Sequence, residues 1–125
     1  MEMELSHKKI LILEDEKPLA RALELKLIHE GFEVKTLSSG EGAVSLLEKE
    51  SFSLVVCDLV MPRVDGFEVL QEIQEKNIKI PIIVLTNLSQ AEDEKRVRSL
   101  GVTEFFIKSD TSLSKIVDYI KNNIS

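Results

Sequence analysis

The sequence predicts a doubly wound α/β domain in which five parallel strands alternate with five helices. Five short apolar runs recur along the chain, and segments with apolar residues at helical spacing lie between them. The runs show too little polar alternation for strands with one face in water, which favours a parallel sheet covered by helices on both faces. The predicted strands are residues 10–13, a second, shorter strand that begins with 32–34, and residues 54–57, 81–85 and 105–107.

Length and composition are those of one globular domain, with 125 residues of which 43% are hydrophobic. A formal net charge of -6, without a basic stripe to offset it, argues against direct nucleic-acid binding. No apolar run reaches membrane-spanning length, and residues 1–9 are too polar for a secretory signal. We therefore expect a cytoplasmic protein without membrane contact, with an N-terminal extension at 1–7 and the domain at 8–125. The single cysteine, Cys57, lies in an apolar run and is expected to be a small buried side chain.

Helix boundaries are predicted from proline, glycine and capping residues. Pro18 suits the first turn of a helix because its missing N–H would have no intrahelical partner there, and Gly31 suits a left-handed residue after that helix ends. A Ser or Asp followed three residues later by Glu is the capping-box pattern of a helix start. This pattern occurs at Ser38 and Glu41, at Asp65 and Glu68, and at Ser89 and Glu92.

The helix predicted over residues 89–100, closed by Gly101, is poor in apolar residues. Mainly Ala91, Val97 and Leu100 are available for its buried side. We expect this helix to be held weakly, because packing of an apolar face supplies most helical stability in proteins. The last predicted helix has apolar residues at regular three-and-four spacing, namely Leu113, Ile116, Val117, Ile120 and Ile124.

Ionisable and hydroxyl side chains follow four of the five predicted strands. The first strand ends at Glu14 and Asp15, the third at Asp58, the fourth at Thr86 and the fifth at Lys108. These ends of parallel strands lie on one edge of the sheet, so the side chains should meet in one crevice. Each residue alone has an ordinary structural explanation, but three crowded carboxylates repel one another unless cations neutralise them. We expect Mg²⁺ and Lys108 to do so.

Such a site suits the transfer of a phosphoryl group. Mg²⁺ takes one or two carboxylates and keeps room for phosphate oxygens and water. A carboxylate can itself be the nucleophile and form an aspartyl-phosphate, while the metal offsets charge in the transition state. Asp58 is the candidate nucleophile, Lys108 would supply a point charge, and Thr86 would supply a hydroxyl donor.

Four motifs occur in order along the chain, namely Glu14-Asp15, the run Asp58-x-x-Met61-Pro62-x-x-Asp65-Gly66, Thr86 and Lys108. Together they resemble the receiver domain of bacterial two-component response regulators, over residues 8–124. The resemblance implies a flavodoxin-like fold, with a five-stranded sheet of order 2-1-3-4-5 flanked by five helices. It also implies a signalling domain that catalyses only its own phosphotransfer and slow autodephosphorylation, rather than an enzyme with a separate substrate.

Carried over residue by residue, the resemblance assigns the chemistry to the ends of the first and third strands. It implies that Asp58 is the phosphoacceptor and takes the phosphoryl group from the phosphohistidine of a sensor histidine kinase or a phosphotransfer protein. It also implies that Asp15, Asp58 and the backbone carbonyl of Val60 bind Mg²⁺ directly. Glu14 would act on the metal mainly through water.

The resemblance assigns detection of the phosphoryl group to the fourth and fifth strands. Thr86 and Lys108 would bind the phosphoryl oxygens. Phe105 corresponds to the family's aromatic switch, which turns inward as the Thr86 hydroxyl moves toward the phosphate. The changed face, within residues 89–124, would contact a downstream protein target, an output domain outside this sequence, or a second copy in a phosphorylation-dependent homodimer.

Three positions depart from the family pattern. Glu14 stands where aspartate is commoner, so a longer side chain reaches toward the metal. Ser109 stands where proline usually follows the lysine, and a cis bond before a non-proline residue costs about 2.5–4 kcal/mol, which favours a trans bond here. Asn87 stands where the family has a very small residue, which would narrow access to Asp58.

The residues two positions beyond the aspartate and two beyond the threonine influence attacking water in the family. In this chain they are Val60 and Leu88. Both are apolar, so neither can orient the water by hydrogen bonding. We predict a long-lived phosphoryl-aspartate, with its rates set by Val60, Asn87 and Leu88.

Other functions on this architecture fit less well. A flavodoxin-like electron carrier needs a glycine- and hydroxyl-rich phosphate loop where this chain has acids, and a P-loop hydrolase needs G-x-x-x-x-G-K, which the sequence lacks. A haloacid-dehalogenase-type phosphatase needs a second acid where Val60 stands. The remaining alternative is a degenerate receiver that binds protein partners without being phosphorylated, although Asp58, Thr86 and Lys108 are all present.

Overall fold

The computed structural model describes residues 8–124. The predicted N-terminal extension, residues 1–7, lies outside the described residues. The strands are β1 (Lys9–Leu13), β2 (Glu33–Leu37), β3 (Leu54–Cys57), β4 (Ile82–Thr86) and β5 (Glu104–Ile107). The helices are α1 (Lys17–His29), α2 (Ala43–Lys49), α3 (Gly66–Glu75), α4 (Ala91–Ser99) and α5 (Leu113–Ile124).

The five strands form one sheet in the order β2-β1-β3-β4-β5, and all four neighbouring pairs are parallel. This confirms the fold class and the strand order expected from the sequence. Every side chain of β3 and β4 is buried, because helices cover both faces of the sheet centre. The edge strand β2 is mostly exposed, which agrees with its more polar sequence.

Alternation along the strands divides the core into two apolar layers. Leu11 and Leu13 point to the side covered by α2, α3 and α4, whereas Ile10 and Ile12 point to the side covered by α1 and α5. Cys57 is fully buried in the first layer, and burial raises the pKa of its thiol above the usual value. The expectation of a small buried side chain at this position is therefore confirmed.

Only one of the three predicted capping boxes forms. The Asp65 side chain accepts from the Glu68 N–H at 2.9 Å, and the Asp65 N–H donates to Glu68 Oε1 at 3.1 Å, which confirms the start of α3. The box predicted at Ser38 is wrong, because α2 begins later, after Gly42 in a left-handed conformation (φ +78°). The box predicted at Ser89 is also wrong, since α4 begins after Gln90 without a side-chain cap.

Helix α4 is anchored as weakly as its sequence indicates. Val97 is its only buried side chain within the described chain, and Ala91, which the sequence offered for the buried side, is exposed. Left-handed glycines follow α1 at Gly31 (φ +101°) and α4 at Gly101 (φ +89°), as expected for helix ends. In the part of the chain that the structure describes, none of the helices is long and apolar enough to cross a membrane.

Candidate functional site

The carboxyl ends of β1, β3, β4 and β5 bring the predicted side chains to one edge of the sheet. Three of them are buried polar residues, namely Glu14 (5% exposed), Asp58 (4%) and Thr86 (0%). Parallel pairing of β1 with β3 sets Leu13 beside Cys57, and the Asp58 N–H continues that ladder by donating to the Leu13 carbonyl at 3.0 Å. The crevice expected from strand order therefore exists in the structure.

The two carboxylate oxygens of Asp58 have different partners. Oδ1 accepts hydrogen bonds from the backbone N–H groups of Leu59 at 2.7 Å and Val60 at 3.3 Å. Oδ2 accepts from the Lys108 ammonium at 2.8 Å. Hydrogen bonds to both oxygens thus fix the orientation of this buried carboxylate.

The backbone around Asp58 is fixed by the start of α3. The Gly66 N–H donates to the Leu59 carbonyl at 3.0 Å. A Cβ at Gly66 would overlap the Asp58 carbonyl oxygen and lie 2.7 Å from the Leu59 Cα, so only glycine allows this approach. The position of the carboxylate therefore depends on the packing of α3 against the end of β3.

Lys108 is the cation at the centre of the site. Its Nζ lies 3.0 Å from Glu14, 2.8 Å from Asp58 and 2.5 Å from Glu16, and its side chain is 9% exposed. Burial alone would lower the pKa of Lys108, yet its hydrogen bonds to Asp58, Glu16 and Glu14 raise that pKa above the usual value. Lys108 is therefore fully charged at neutral pH and neutralises part of the carboxylate cluster.

Glu14 is held from both its backbone and its side chain. Its N–H donates to the Leu37 carbonyl at 3.0 Å, and its Oε2 accepts from the Glu16 N–H at 3.0 Å and from Lys108 at 3.0 Å. Burial raises the pKa of this carboxyl group, and the hydrogen bonds from Glu16 and Lys108 oppose that rise. The longer side chain of this first acid thus reaches the centre of the site.

The acids after β1 differ from the prediction in one respect. Carboxylate oxygens of Glu14, Glu16 and Asp58 lie within 4.8 Å of one another, and Glu16 is not among the predicted site residues. Asp15 is exposed and lines the adjoining pocket, but it is not one of these three. Its direct coordination of Mg²⁺ stays a prediction. The only sequence signal for Glu16 was the run of three consecutive acids after the strand.

A cavity of about 300 Å³ opens beside these groups. Thr86 lies in its wall and its Oγ1 accepts from the Leu88 N–H at 3.3 Å, which leaves the hydroxyl proton free to donate. Val60, Asn87 and Leu88 line the same cavity, and Val60 is 58% exposed at its opening. The structure thus brings the three rate-tuning candidates together around Asp58, while their effect on rate stays a prediction.

Phe105 and Phe106 face opposite sides of the sheet. Phe105 is half-buried and packs against the apolar layer beneath α4, whereas Phe106 is buried and meets Tyr119 edge to face at 5.6 Å. The switch role of Phe105 stays a prediction. The peptide bonds of residues 8–124 are all trans, including the bond before Ser109, and residues 108–110 form a short 3₁₀ turn.

The donor set fits a hard divalent cation. Glu14, Glu16 and Asp58 offer carboxylate oxygens at one point, and carboxylate oxygen is the ligand that Mg²⁺ prefers in proteins. Lys108 compensates only one unit of the negative charge carried by these groups. An additional cation is therefore electrostatically compatible with the site.

Comparisons with known proteins agree with this geometry. A family model, "Response regulator receiver domain", matches residues 10–121. The chain is 40% identical over 106 residues to the "Probable transcriptional regulator ycf27" of Cyanophora paradoxa, covering 85% of this chain and 44% of that protein. It is 32% identical over 102 residues to the "Alkaline phosphatase synthesis transcriptional regulatory protein PhoP" of Bacillus subtilis, covering 82% and 42%. The chain thus spans less than half the length of these curated relatives.

Solved structures show the same likeness. The non-phosphorylated HemR receiver domain from Leptospira biflexa superposes with a TM-score of 0.85 at 29% identity, with 94% of each chain covered. The phosphorylated cyanobacterial phytochrome response regulator RcpA superposes with a TM-score of 0.78 at 31% identity, covering 93% of this chain and 90% of that one. Fold, site and relatives agree, and the chain belongs to the family of response regulator receiver domains.

Proposed function

We propose that this domain is a phosphorylation-dependent switch whose Asp58 accepts a phosphoryl group from the phosphohistidine of a sensor histidine kinase or phosphotransfer protein. The observation that carries the proposal is the setting of Asp58. Its carboxylate is buried, is held by two backbone N–H groups and Lys108, and borders a cavity that also contains Thr86.

The reaction exchanges one bond to phosphorus for another. A carboxylate oxygen of Asp58 forms a P–O bond while the P–N bond to the donor imidazole breaks. The bonding pair goes to the ring nitrogen, which takes up a proton from solvent. Lys108 and the Thr86 hydroxyl are the groups that would stabilise charge on the phosphoryl oxygens.

Mg²⁺, when bound, would offset the negative charge that the phosphoryl group brings to three carboxylates. Asp15, Asp58 and the Val60 carbonyl would bind it, with Glu14 acting through water. The protein's own part is to fix Asp58 through Leu59, Val60 and α3, so that the nucleophile needs little reorganisation.

Two of the side chains that line the cavity beside Asp58, those of Val60 and Leu88, are apolar. Val60 and Leu88 cannot accept or donate hydrogen bonds through their side chains, so they cannot orient a water toward the phosphorus. Asn87 lines the same cavity and would narrow access to Asp58. The phosphoryl-aspartate should accordingly be long-lived.

Phosphorylation would be read on the face formed by α4, β5 and α5, with Phe105 following the Thr86 hydroxyl. A downstream protein, an attached output domain or a second copy of the chain would bind that face. Two of the relatives are named as transcriptional regulators, which is consistent with an output domain in those longer proteins.

The first test is intact mass after incubation with phosphoramidate and Mg²⁺. Wild type should gain one phosphoryl group, Asp58→Asn should gain none, and Asp118→Asn, which removes an exposed acid on α5, should react like wild type. An adduct on wild type and Asp58→Asn alike would contradict the assignment. An adduct on neither would favour the phosphorylation-independent alternative.

A further inference from the structure

Glu16 is the one carboxylate of the site without a role in the proposed chemistry. Its side chain is 55% exposed, yet its Oε2 lies 2.5 Å from Lys108 Nζ, the shortest contact of that ammonium. Its backbone N–H donates to Glu14 Oε2 at 3.0 Å, so the backbone of Glu16 is tied to a second partner of Lys108. The contact with Lys108 is therefore part of the site's geometry rather than a distant surface pair.

The Lys108 ammonium has three N–H donors, and three carboxylates take them. Its partners are Asp58 at 2.8 Å, Glu14 at 3.0 Å and Glu16 at 2.5 Å. A phosphoryl oxygen can receive a hydrogen bond from Lys108 only if one of these partners gives up its donor.

Burial decides which partner can be released at least cost. Glu14 is 5% exposed, so removing its cation would leave a buried charge poorly compensated. Asp58 would carry the phosphoryl group itself, so the new bond to phosphorus would keep Asp58 next to the oxygen that Lys108 has to reach. Glu16 is more than half exposed, so water can solvate its carboxylate once Lys108 leaves.

We propose that Glu16 is a positioning residue that acts through Lys108. In the unphosphorylated site the Glu16 carboxylate holds the Lys108 ammonium. An oxygen of the incoming phosphoryl group then displaces the Glu16 carboxylate from Lys108. Glu16 therefore competes with the phosphoryl group for Lys108 and slows phosphotransfer. This inference rests on the proposed function, because it requires a phosphoryl group on Asp58.

A role of Glu16 as a metal ligand would have the opposite consequence. Its carboxylate lies within 4.8 Å of those of Glu14 and Asp58, so it could also contribute to a cation site. Neutralising a metal ligand weakens Mg²⁺ binding and slows phosphorylation. Neutralising a competitor for Lys108 accelerates phosphorylation and leaves Mg²⁺ affinity nearly unchanged.

The experiment measures the rate of phosphorylation by phosphoramidate at saturating Mg²⁺, with the Mg²⁺ dissociation constant from calorimetry. Glu16→Gln should react about fivefold faster than wild type, the factor that corresponds to losing one exposed ion pair. Glu16→Asp keeps the charge but is one methylene shorter, and it should also react faster. Asp110→Asn, which removes an exposed acid two residues after Lys108, should match wild type within about twofold, the scale of a distant screened charge.

Several results would overturn the proposal. A phosphorylation rate of Glu16→Gln equal to or below that of wild type would do so. A slower rate together with weaker Mg²⁺ binding would identify Glu16 as a metal ligand instead. Equal acceleration by Glu16→Gln and Asp110→Asn would show an effect of net charge rather than of the contact. If wild type is not phosphorylated at all, the proposed function itself fails.

A second measurement does not depend on phosphorylation. The Lys108 ammonium protons should give a slowly exchanging signal in nitrogen-15 NMR of the unphosphorylated protein, because all three are hydrogen-bonded in the site. Exchange with water should be faster in Glu16→Gln and unchanged in Asp110→Asn. Equal exchange in wild type and Glu16→Gln would show that Glu16 does not hold Lys108.

Discussion

Helices α3 and α4 cover the same face of the sheet, but they are held in different ways. Helix α3 buries Gly66, Val69, Leu70 and Ile73 and begins with a complete capping box. Helix α4 buries one residue, Val97, and has no side-chain cap. Apolar burial contributes about 25 cal/mol per Å², and α3 buries two more apolar side chains than α4, since Gly66 has no side chain.

Polar contacts supply much of what holds α4. The Arg96 guanidinium lies over the Phe67 ring of α3 at 4.1 Å, and Arg98 pairs with Glu94 and with Glu104 of β5, each at 3.0 Å. Such exposed contacts are worth at most about 1 kcal/mol each and can be exchanged for water. The helix that fixes Asp58 is thus the rigid one, and its neighbour can move at low cost.

The largest expected effect comes from Gly66→Ala at the start of α3. Alanine is usually favoured over glycine inside a helix, but here its Cβ would overlap the Asp58 carbonyl oxygen. We expect a loss of about 3 kcal/mol in the free energy of unfolding, measured by urea denaturation, together with slower phosphorylation. Gly101→Ala is the control, since its Cβ meets nothing within 4 Å and only its left-handed φ costs about 1 kcal/mol. A Gly66→Ala variant as stable as wild type would show that the close approach of α3 to the end of β3 does not hold α3 rigidly.

An intermediate effect is expected from Val97→Ala in α4. Loss of two buried methyl groups should cost about 2 kcal/mol, and the consequence should be mainly local because no other side chain of α4 is buried in the described structure. Hydrogen exchange measured by mass spectrometry should show faster exchange in α4 and little change in α3. Equal acceleration in both helices would mean that α4 does not open on its own.

The smallest effects concern the helix caps. Asp65→Ala removes the capping box of α3 and should cost about 1 kcal/mol in urea denaturation. Ser89→Ala should leave the free energy of unfolding unchanged, because α4 begins after Gln90 and receives no side-chain cap. If Ser89→Ala lowered the free energy of unfolding as much as Asp65→Ala, the Ser89 side chain would cap α4 in solution, contrary to the structure.

The strands of the sheet could be predicted from the sequence because strands that are buried on both faces consist almost entirely of apolar residues. Runs such as 54–57 and 82–85 are apolar throughout, and they are buried throughout. Capping patterns were less reliable, since Ser38, Asp65 and Ser89 carry the same local signature. Only Asp65 forms the box, and at the site predicted for Ser38 the neighbouring Ser39 hydroxyl instead accepts from the Glu41 N–H at 3.0 Å.

The site could be predicted as far as strand ends locate it. Asp58, Thr86 and Lys108 each follow a strand directly, so sheet geometry places them without knowledge of loops. Glu16 could not be selected in this way, because which of three consecutive acids turns inward depends on the loop conformation. That conformation is set by the hydrogen bond from the Glu16 N–H to Glu14, which no spacing rule encodes.

Lys108 also joins parts of the chain that the sheet keeps apart. Its partners Glu14 and Asp58 lie 94 and 50 residues earlier, and β1 and β5 are not neighbours in the sheet. Lys108 directly follows the edge strand β5. If β5 unfolds locally and moves Lys108 away, it must therefore break the contacts of Lys108 at the ends of β1 and β3, as well as the hydrogen bonds between β5 and β4. The candidate site should thereby contribute to folding cooperativity, and any ligand that changes the bonds of Lys108 should also change how readily the edge of the sheet opens.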